Sequence, residues 1–572
     1  ANVDTQLIFV EGGTFSGRSP AVGDENKGGT FLAEGYKAVE NGDGTWVVRK
    51  KENNAQVGGK NYEELSDAIE ASNSIDNTIT LTKNTTVKLE NGVANGSEKS
   101  RNITIKGDGT QTVDVITRAI SAEGGMLSYQ RGSTFTFKNV TIQAGEGSFD
   151  GIVCDELVYN NCIIKGKLTL YGKATFINCT FENEMANQYS IWTWGGTDVR
   201  FEDCTFNTNG KAILLYGQAT AEKPTNLTVS NCTFNDRNNG SAGKAAIEIG
   251  NDYNATYSLT VTSATVNGFA DGKNTGSKLW ANKNSMDAEH LTVIIDGKLQ
   301  PGSNLSTAIE SAAAGGEIVL ASSGNAYTLP DISKSMTISG EVDENGDKTV
   351  TLEANKAGIA SENVTIKNVT IKGSGSKGTV GTLNIKGSNT TLENVEYQGD
   401  GNIAITVSTD AQNTGTVFKN TKITNAFRGI QFWSLSGDSR IEECVLDVAG
   451  YTFNIDAAMP NSTLTIKDST LNGWTSYTSG IGLVSFENCK LGLNTYEYLR
   501  PYSETQITNC EFTSEDYMLN AGGDGAYTIT LTNCTKNGVA ITAENVVNLL
   551  LETEDWNSKA TLVVNGTTVT VP

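Results

Sequence analysis

Short stretches of alternating apolar and polar residues recur along the chain. Most close on one phrase: an apolar residue, any residue, Asn or Asp, then a small or β-branched residue. Phe137-Lys138-Asn139-Val140-Thr141-Ile142 is the first example, and Phe176-Ile177-Asn178-Cys179-Thr180-Phe181 and Phe201-Glu202-Asp203-Cys204-Thr205-Phe206 repeat it closely. The residue after Asn or Asp falls at 140, 162, 179, 204 and 232 in the first half, in steps of 22, 17, 25 and 28. In the second half the same position holds Val369, Val395, Thr421, Cys444, Ser469, Cys489, Cys510 and Cys534, in steps of 26, 26, 23, 25, 20, 21 and 24. A drifting period with strand-like alternation inside each repeat predicts a β-solenoid, because each coil supplies short strands joined by Gly, Asn and Asp turns. Helical solenoids need longer amphipathic segments, and leucine-rich repeats need a denser Leu frame.

Simple alternation puts Phe176, Asn178 and Thr180 on one face, and Ile177, Cys179 and Phe181 on the other. The Cys row then faces the core. Asn is expected to stack at a coil corner, where its amide bonds the copies above and below and satisfies turn backbone groups. This accounts for nine cysteines with no CxxC pair: they read as a structural row, not a disulfide framework.

A larger duplication lies over the coils. Tyr62, Leu65, Ala68 and Ile69 are apolar at helical spacing, with Asn61 and Glu64 placed as a capping box. Leu305, Ala308, Ile309 and Ala312 repeat that stripe, and Gly315-Gly316 ends it. Leu291–Gly297 and Thr561–Gly566 match as well. The prediction is an all-β, right-handed parallel β-helix in two tandem modules, each with a short N-terminal capping helix covering an otherwise open end. Residues 1–56 read as the strands and turns of a preceding module's tail, 57–300 as the first module and 301–572 as the second. The pattern begins in mid-phrase at Leu7-Ile8-Phe9-Val10, as expected of a piece of something longer.

The formal charge of −22 repels phosphate backbones and argues against nucleic acid as a partner. It also disfavours acidic polysaccharides, unless Ca²⁺ or a local basic groove intervenes. No apolar run is long enough to span a membrane.

The cap helix, the Asn-Cys/Val-Thr phrase and the coil period resemble the pectate-lyase-like β-helix superfamily. Phe31–Val48 and the stretch from Leu279-Trp280-Ala281-Asn282 to Gly297 are similar to a narrower group, the large repetitive surface proteins of gut Gram-positive anaerobes. The superfamily resemblance implies the fold; it holds lyases, hydrolases, adhesins and phage spikes alike. The narrower one implies a host ligand such as a mucosal glycan or glycoprotein, immunoglobulin among them.

Hydrolases of this fold work with clustered Asp, and the family signatures Asp-Asp, Gly-His-Gly and Arg-Ile-Lys are absent from the sequence. The single histidine, His290, reads as a structural or surface group. Asp150, Asp155 and Glu156, and separately Arg428 and Arg440, form no recognisable motif. Asp343-Glu344-Asn345-Gly346-Asp347 reads as a hairpin turn, since its spacing does not fit an EF-hand. No catalytic residue, metal or cofactor is assigned.

Aromatic residues are more suggestive. Tyr189, Trp192 and Trp194 share one strand region. Arg428, Phe432 and Trp433 occupy a comparable place in the second half, with Trp474, Tyr477, Tyr496, Tyr498 and Tyr502 on later coils. Exposed, such rings are flat platforms for sugars or protein hot spots; turned inward, they are core. Together these features predict a secreted, monomeric, non-enzymatic binding protein of a bacterial cell surface. Its ligand face would comprise Trp192, Trp194, Tyr189, Phe432, Trp433, Arg428, Trp474 and Tyr477. The alternatives are a polysaccharide lyase or glycoside hydrolase of the pectate-lyase-like fold, and a wall spacer.

Overall fold

The structure, a computed structural model, describes residues 9–23, 29–89, 102–115, 126–129, 132–145, 151–217, 224–250, 255–322, 324–373, 380–399, 403–408, 415–494 and 498–572. Asp150, Tyr496 and the Leu7-Ile8 start of the first strand lie outside these. The chain divides into two compact units, Ala1–Met286 and Asp287–Pro572.

In the first unit three parallel sheets run side by side. The first pairs Asn102–Lys106, Thr134–Lys138, Glu156–Asn160, Lys173–Ile177 and Asp198–Glu202 in register. The second pairs Thr112–Asp114, Thr141–Gln143, Ile163–Lys165, Thr180–Glu182 and Thr205–Thr208. The third pairs Leu168–Leu170, Ile191–Thr193, Ile213–Leu215, Ile247–Ile249 and Trp280–Asn282. Each coil contributes one strand to each sheet, which is a parallel β-helix. In-register pairing stacks like on like: Phe137, Tyr159, Phe176 and Phe201 form a buried column, with ring centroids 5.1, 4.6 and 4.8 Å apart. Offset aromatic stacking adds to the apolar area such a column removes from water.

Simple alternation fails at the corner between the first and second sheets, and the failure defines the coil. Phe176, Cys179 and Phe181 all face inward, while Asn178 is exposed. Asn178 sits at φ 50°, in the left-handed region, as do Asn139, Asn161, Asp203 and Asn231 at the same place on other coils. That turn resets the parity, so the residue three after an inward aromatic is inward again. Asn and Asp tolerate this conformation better than other side chains carrying a Cβ. The expected ladder is present: the Asn161 amide donates to Asn139 Oδ1 at 2.7 Å, and the Asn178 amide to Asn161 Oδ1 at 3.1 Å. Cys162, Cys179, Cys204 and Cys232 follow the corner and are buried; Cys154 stands outside this row, half-buried.

The second unit repeats the plan with mostly aliphatic residues in the corresponding column: Ile366, Leu392, Phe418, Ile441, Ile466, Phe486, Ile507 and Leu531 are in register and buried. Asn394 donates to Asn368 at 2.9 Å and Asn420 to Asn394 at 3.2 Å. Val369, Val395, Thr421, Cys444, Ser469, Cys489, Cys510 and Cys534 form the inward row.

Helices α1 (Leu65–Ala71) and α2 (Leu305–Ser311) bury Leu65, Ala68 and Ile69, and Leu305, Ala308 and Ile309. The capping box expected at Asn61 is not formed: Glu64 is the N-cap residue of α1 and its side chain makes no capping bond. In α2, Asn304 caps by accepting from the Thr307 N–H at 3.0 Å. A third helix, α3 (Val546–Leu550), lies near the end of the chain. Gly13–Ser16, Tyr36–Glu40 and Thr45–Lys50 form a three-stranded antiparallel sheet. Leu291–Ile295 and Ala560–Val564 each turn back through a pair of positive-φ residues, Asp296-Gly297 and Asn565-Gly566, the geometry a tight hairpin requires. Asp343 accepts from the Asn345 and Asp347 N–H groups, confirming the hairpin turn.

Candidate functional site

In the first unit, the inner residues of the third sheet are aliphatic: Leu168, Ile191, Ile213 and Ile247 are all fully buried. The register puts Thr169, Trp192, Leu214, Glu248 and Ala281 on the opposite face. A polar cluster is built there. The Glu248 side chain is 3% exposed and accepts a bond from the Tyr189 hydroxyl at 2.7 Å, with Lys244 Nζ at 3.4 Å. Burial, then the Glu248 charge, pushes the Tyr189 hydroxyl far above the ordinary phenol range, so its proton stays in place and is donated to the carboxylate. Lys211 Nζ lies 5.3 Å from the Tyr189 ring centroid and donates to the Asn187 carbonyl at 3.0 Å. Burial, with Lys244 and Lys283 nearby, holds its ammonium below the ordinary lysine range against the pull of Glu248. Lys167, 2% exposed, sits 4.4 Å over the Trp192 ring.

Of the aromatics expected on a ligand face, Tyr189 is buried in this cluster. Trp192 is half-buried, packed edge-on against Tyr189, and its buried indole N–H has no hydrogen-bond partner among the described residues. Trp194 stacks on Tyr216 with centroids 5.2 Å apart, and Trp192 meets the same Tyr216 at 5.4 Å. The pair is therefore brought together through Tyr216, and Trp194 and Tyr216 are half-exposed.

The second unit carries a different lateral cluster. The Arg428 guanidinium lies 4.8 Å over the Tyr451 ring, which stacks on Trp474 at 4.7 Å. Arg428 donates to Gln431 Oε1 at 2.7 Å, and Gln431 donates to Asp456 at 2.9 Å. Phe432 and Tyr477 are not on this face. They belong to the inward row Val407, Phe432, Ile455 and Tyr477, and both are buried, because the parity of their strands points them at the core. Trp433 is 36% exposed, just beyond the strand. Arg440 stands on the outer face of the first sheet, away from Arg428. Glu156 is paired with Lys173 at 2.9 Å. His290, with Asp287 and Glu289, sits on the surface of the second unit.

Sequence reasoning missed Lys167, Lys211, Lys244 and Glu248. A signal was available: Gly166-Lys167, Gly210-Lys211 and Gly243-Lys244 each stand just before a third-sheet strand. Tyr216, Tyr451 and Gln431 carried no such mark.

No protein-family model matches the chain. A stretch of 126 residues, 20% of the chain, is 32% identical to an exopolygalacturonase of Platanus acerifolia and covers 32% of it. The chain thus spans about a third of the length of that relative. Two structures of the periplasmic alginate epimerase AlgG, one of them a point mutant, overlap 80% of this chain and 85% of theirs at 9–10% identity, with TM-scores of 0.14 and 0.13. Likeness at these TM-scores carries no argument. The similarity to an exopolygalacturonase corrects the expectation of a non-enzymatic surface binding protein, because the matched relative is an enzyme.

Proposed function

We propose that the chain is an exported enzyme that cleaves an acidic polysaccharide, as a lyase or a glycoside hydrolase, at the lateral cluster of its first unit. The single observation that carries this is the 126-residue similarity to an exopolygalacturonase. The cluster supports it chemically. A chain of charge −22 needs local positive charge to approach a polyanion, and Lys211 and Lys244, both part-exposed, provide it beside the buried Lys167. Among the described residues Lys211 forms no ion pair and lies over the Tyr189 ring, which makes it the candidate base, whereas Tyr189 and Glu248 hold each other. Trp194 and Tyr216 offer a stacked aromatic surface to a sugar ring. Lysine as base favours elimination next to a uronate carboxylate over hydrolysis, which calls for a carboxylate pair.

The reading also takes α1 and α2 as covers over the ends of two tandem modules, their buried stripes shielding core that a solenoid would otherwise expose.

The test is incubation of the full chain with polygalacturonate and with alginate. Elimination yields new reducing ends together with the ultraviolet absorbance of an unsaturated sugar; hydrolysis yields reducing ends alone. Either product supports the proposal. Absence of both from every uronate polymer tried sinks it.

A further inference from the structure

A cavity, unrelated to the lateral clusters, opens in the second unit beside α3. Its volume is about 730 Å³, within the ~300–1,000 Å³ range of small-ligand sites. Leu493 and Leu549 give it an apolar floor continuous with the core. Tyr498 and Tyr517 stand in its wall, Tyr517 being 46% exposed. Glu515, Asp516 and Glu552 line it as well.

The charge balance of this cavity is one-sided. Its lysine, Lys536, is 4% exposed, and its ammonium is spent on backbone: it donates to the carbonyls of Glu515 at 3.1 Å, Asp516 at 2.7 Å and Leu549 at 2.8 Å. With three donors and three acceptors, nothing of Lys536 remains for an incoming anion. The bonds tie the Glu515-Asp516 loop to the C-terminal end of α3, where a cation is favourably placed against the helix carbonyls. The carboxylates are differently placed. Among the described residues no lysine or arginine forms an ion pair with Glu515, Asp516 or Glu552. Glu552 accepts from the Glu554 N–H at 2.9 Å and Glu515 from the Asn537 amide at 3.4 Å, which leaves acceptor capacity on both. An apolar floor, two phenol rings and a net-negative rim together select a compact body that carries a protonated amine.

We infer that this cavity binds a primary ammonium borne on a small molecule with an apolar face, the chemistry shared by amino sugars and polyamines. The tyrosines take the apolar face, and Glu515 and Asp516 take the ammonium through charge-assisted hydrogen bonds. An acidic sugar is turned away from this cavity by the same carboxylates.

Calorimetric titration of the full chain with a glucosamine disaccharide, its N-acetylated counterpart, a galacturonate disaccharide and spermidine tests this. The amine-bearing disaccharide is expected to bind at least about tenfold more tightly than the acetylated or acidic ones. Spermidine separates the sources: binding as tight as the amino sugar means that the ammonium suffices, and weaker binding means that the ring is read as well. The double variant Glu515→Gln, Asp516→Asn changes two exposed side chains, so circular dichroism should be unchanged while amine affinity falls about tenfold. Tyr517→Ala should weaken the sugar more than spermidine. Equal binding of the acetylated or acidic disaccharide, no binding of either amine, or full affinity in the folded double variant overturns the inference. Release of product from polygalacturonate should be unaffected by these variants, which keeps this result separate from the function proposed above.

Discussion

The two units solve the same packing problem with different side chains. In the first, an aromatic column of Phe137, Tyr159, Phe176 and Phe201 fills the coil, and the third sheet's outer side holds ammonium groups around one buried carboxylate. In the second, the column is largely aliphatic, and the third sheet carries a guanidinium lying over stacked rings. Parallel pairing in register fixes where side chains stack but not which chemistry they bring. The coil is a scaffold with repeated positions, and function lies in which positions depart from the repeat. The first unit's cluster sets Lys211 and Lys244 around a phenol bonded to a buried carboxylate. The second unit's Arg428 instead lies over the Tyr451 ring and donates to Gln431.

The widest separation between the units is expected in activity. Lys211→Met should lower uronate-polymer cleavage by about a hundredfold or more, the usual weight of a general base. Arg428→Met should change it far less. An equal loss in both, measured as initial rates on polygalacturonate, would break the functional contrast drawn here.

Next come the cores. Phe176→Ala should cost about 4 kcal/mol and Ile466→Ala about 3 kcal/mol in denaturant unfolding, both by cavity formation. The aromatic site should lose more, because two stacked neighbours, Tyr159 and Phe201, each lose a partner. A larger loss at Ile466 would reverse the comparison.

The corner ladder gives a smaller effect of either sign. Asn178→Ala should destabilise by about 2 kcal/mol, combining left-handed strain with a lost ladder bond. The second unit holds one exception in this column, Glu443 at φ 57°. Glu443→Asn should raise the unfolding midpoint, stabilising by about 0.5–1 kcal/mol.

Acid gives the mildest contrast. Glu63 in the first unit is pushed up by burial, but Lys37 and Arg49, both at 2.8 Å, outweigh this and hold it below its ordinary value of 4.5. Glu341 in the second unit is also pushed up by burial and is held below 4.5 mainly by Lys298. Each carboxylate has a lower pKa folded than unfolded. The stability it adds is therefore present above about pH 4.5 and lost as pH falls through the folded value. Glu63→Gln should flatten the acid limb of the stability profile more than Glu341→Gln, read by thermal melts at stepped pH.

Much of the coil was legible in the chain because it is written many times. Asn178-Cys179 and its repeats report a corner and an inward thiol on successive rungs, and eight of the nine cysteines are buried as that phrase implies. The Asp343–Asp347 hairpin turn was legible for a local reason: an Asp at the start of a turn accepts from the N–H groups that follow it. Face assignment across the corner was not, because one left-handed residue shifts the parity and sends Phe176 and Cys179 to the same side. The same parity put Phe432 and Tyr477 in the core.

By itself, then, the sequence determined the period, the corners and what the rungs bury, since these follow from local backbone preference and apolar repetition. Only the tertiary structure decided which distant groups meet. Tyr189 and Glu248 stand 59 residues apart, and Lys536 reaches Leu549 and Glu515 from different coils. Such encounters depend on how many residues each coil spends in its loops, and no local pattern encodes that length.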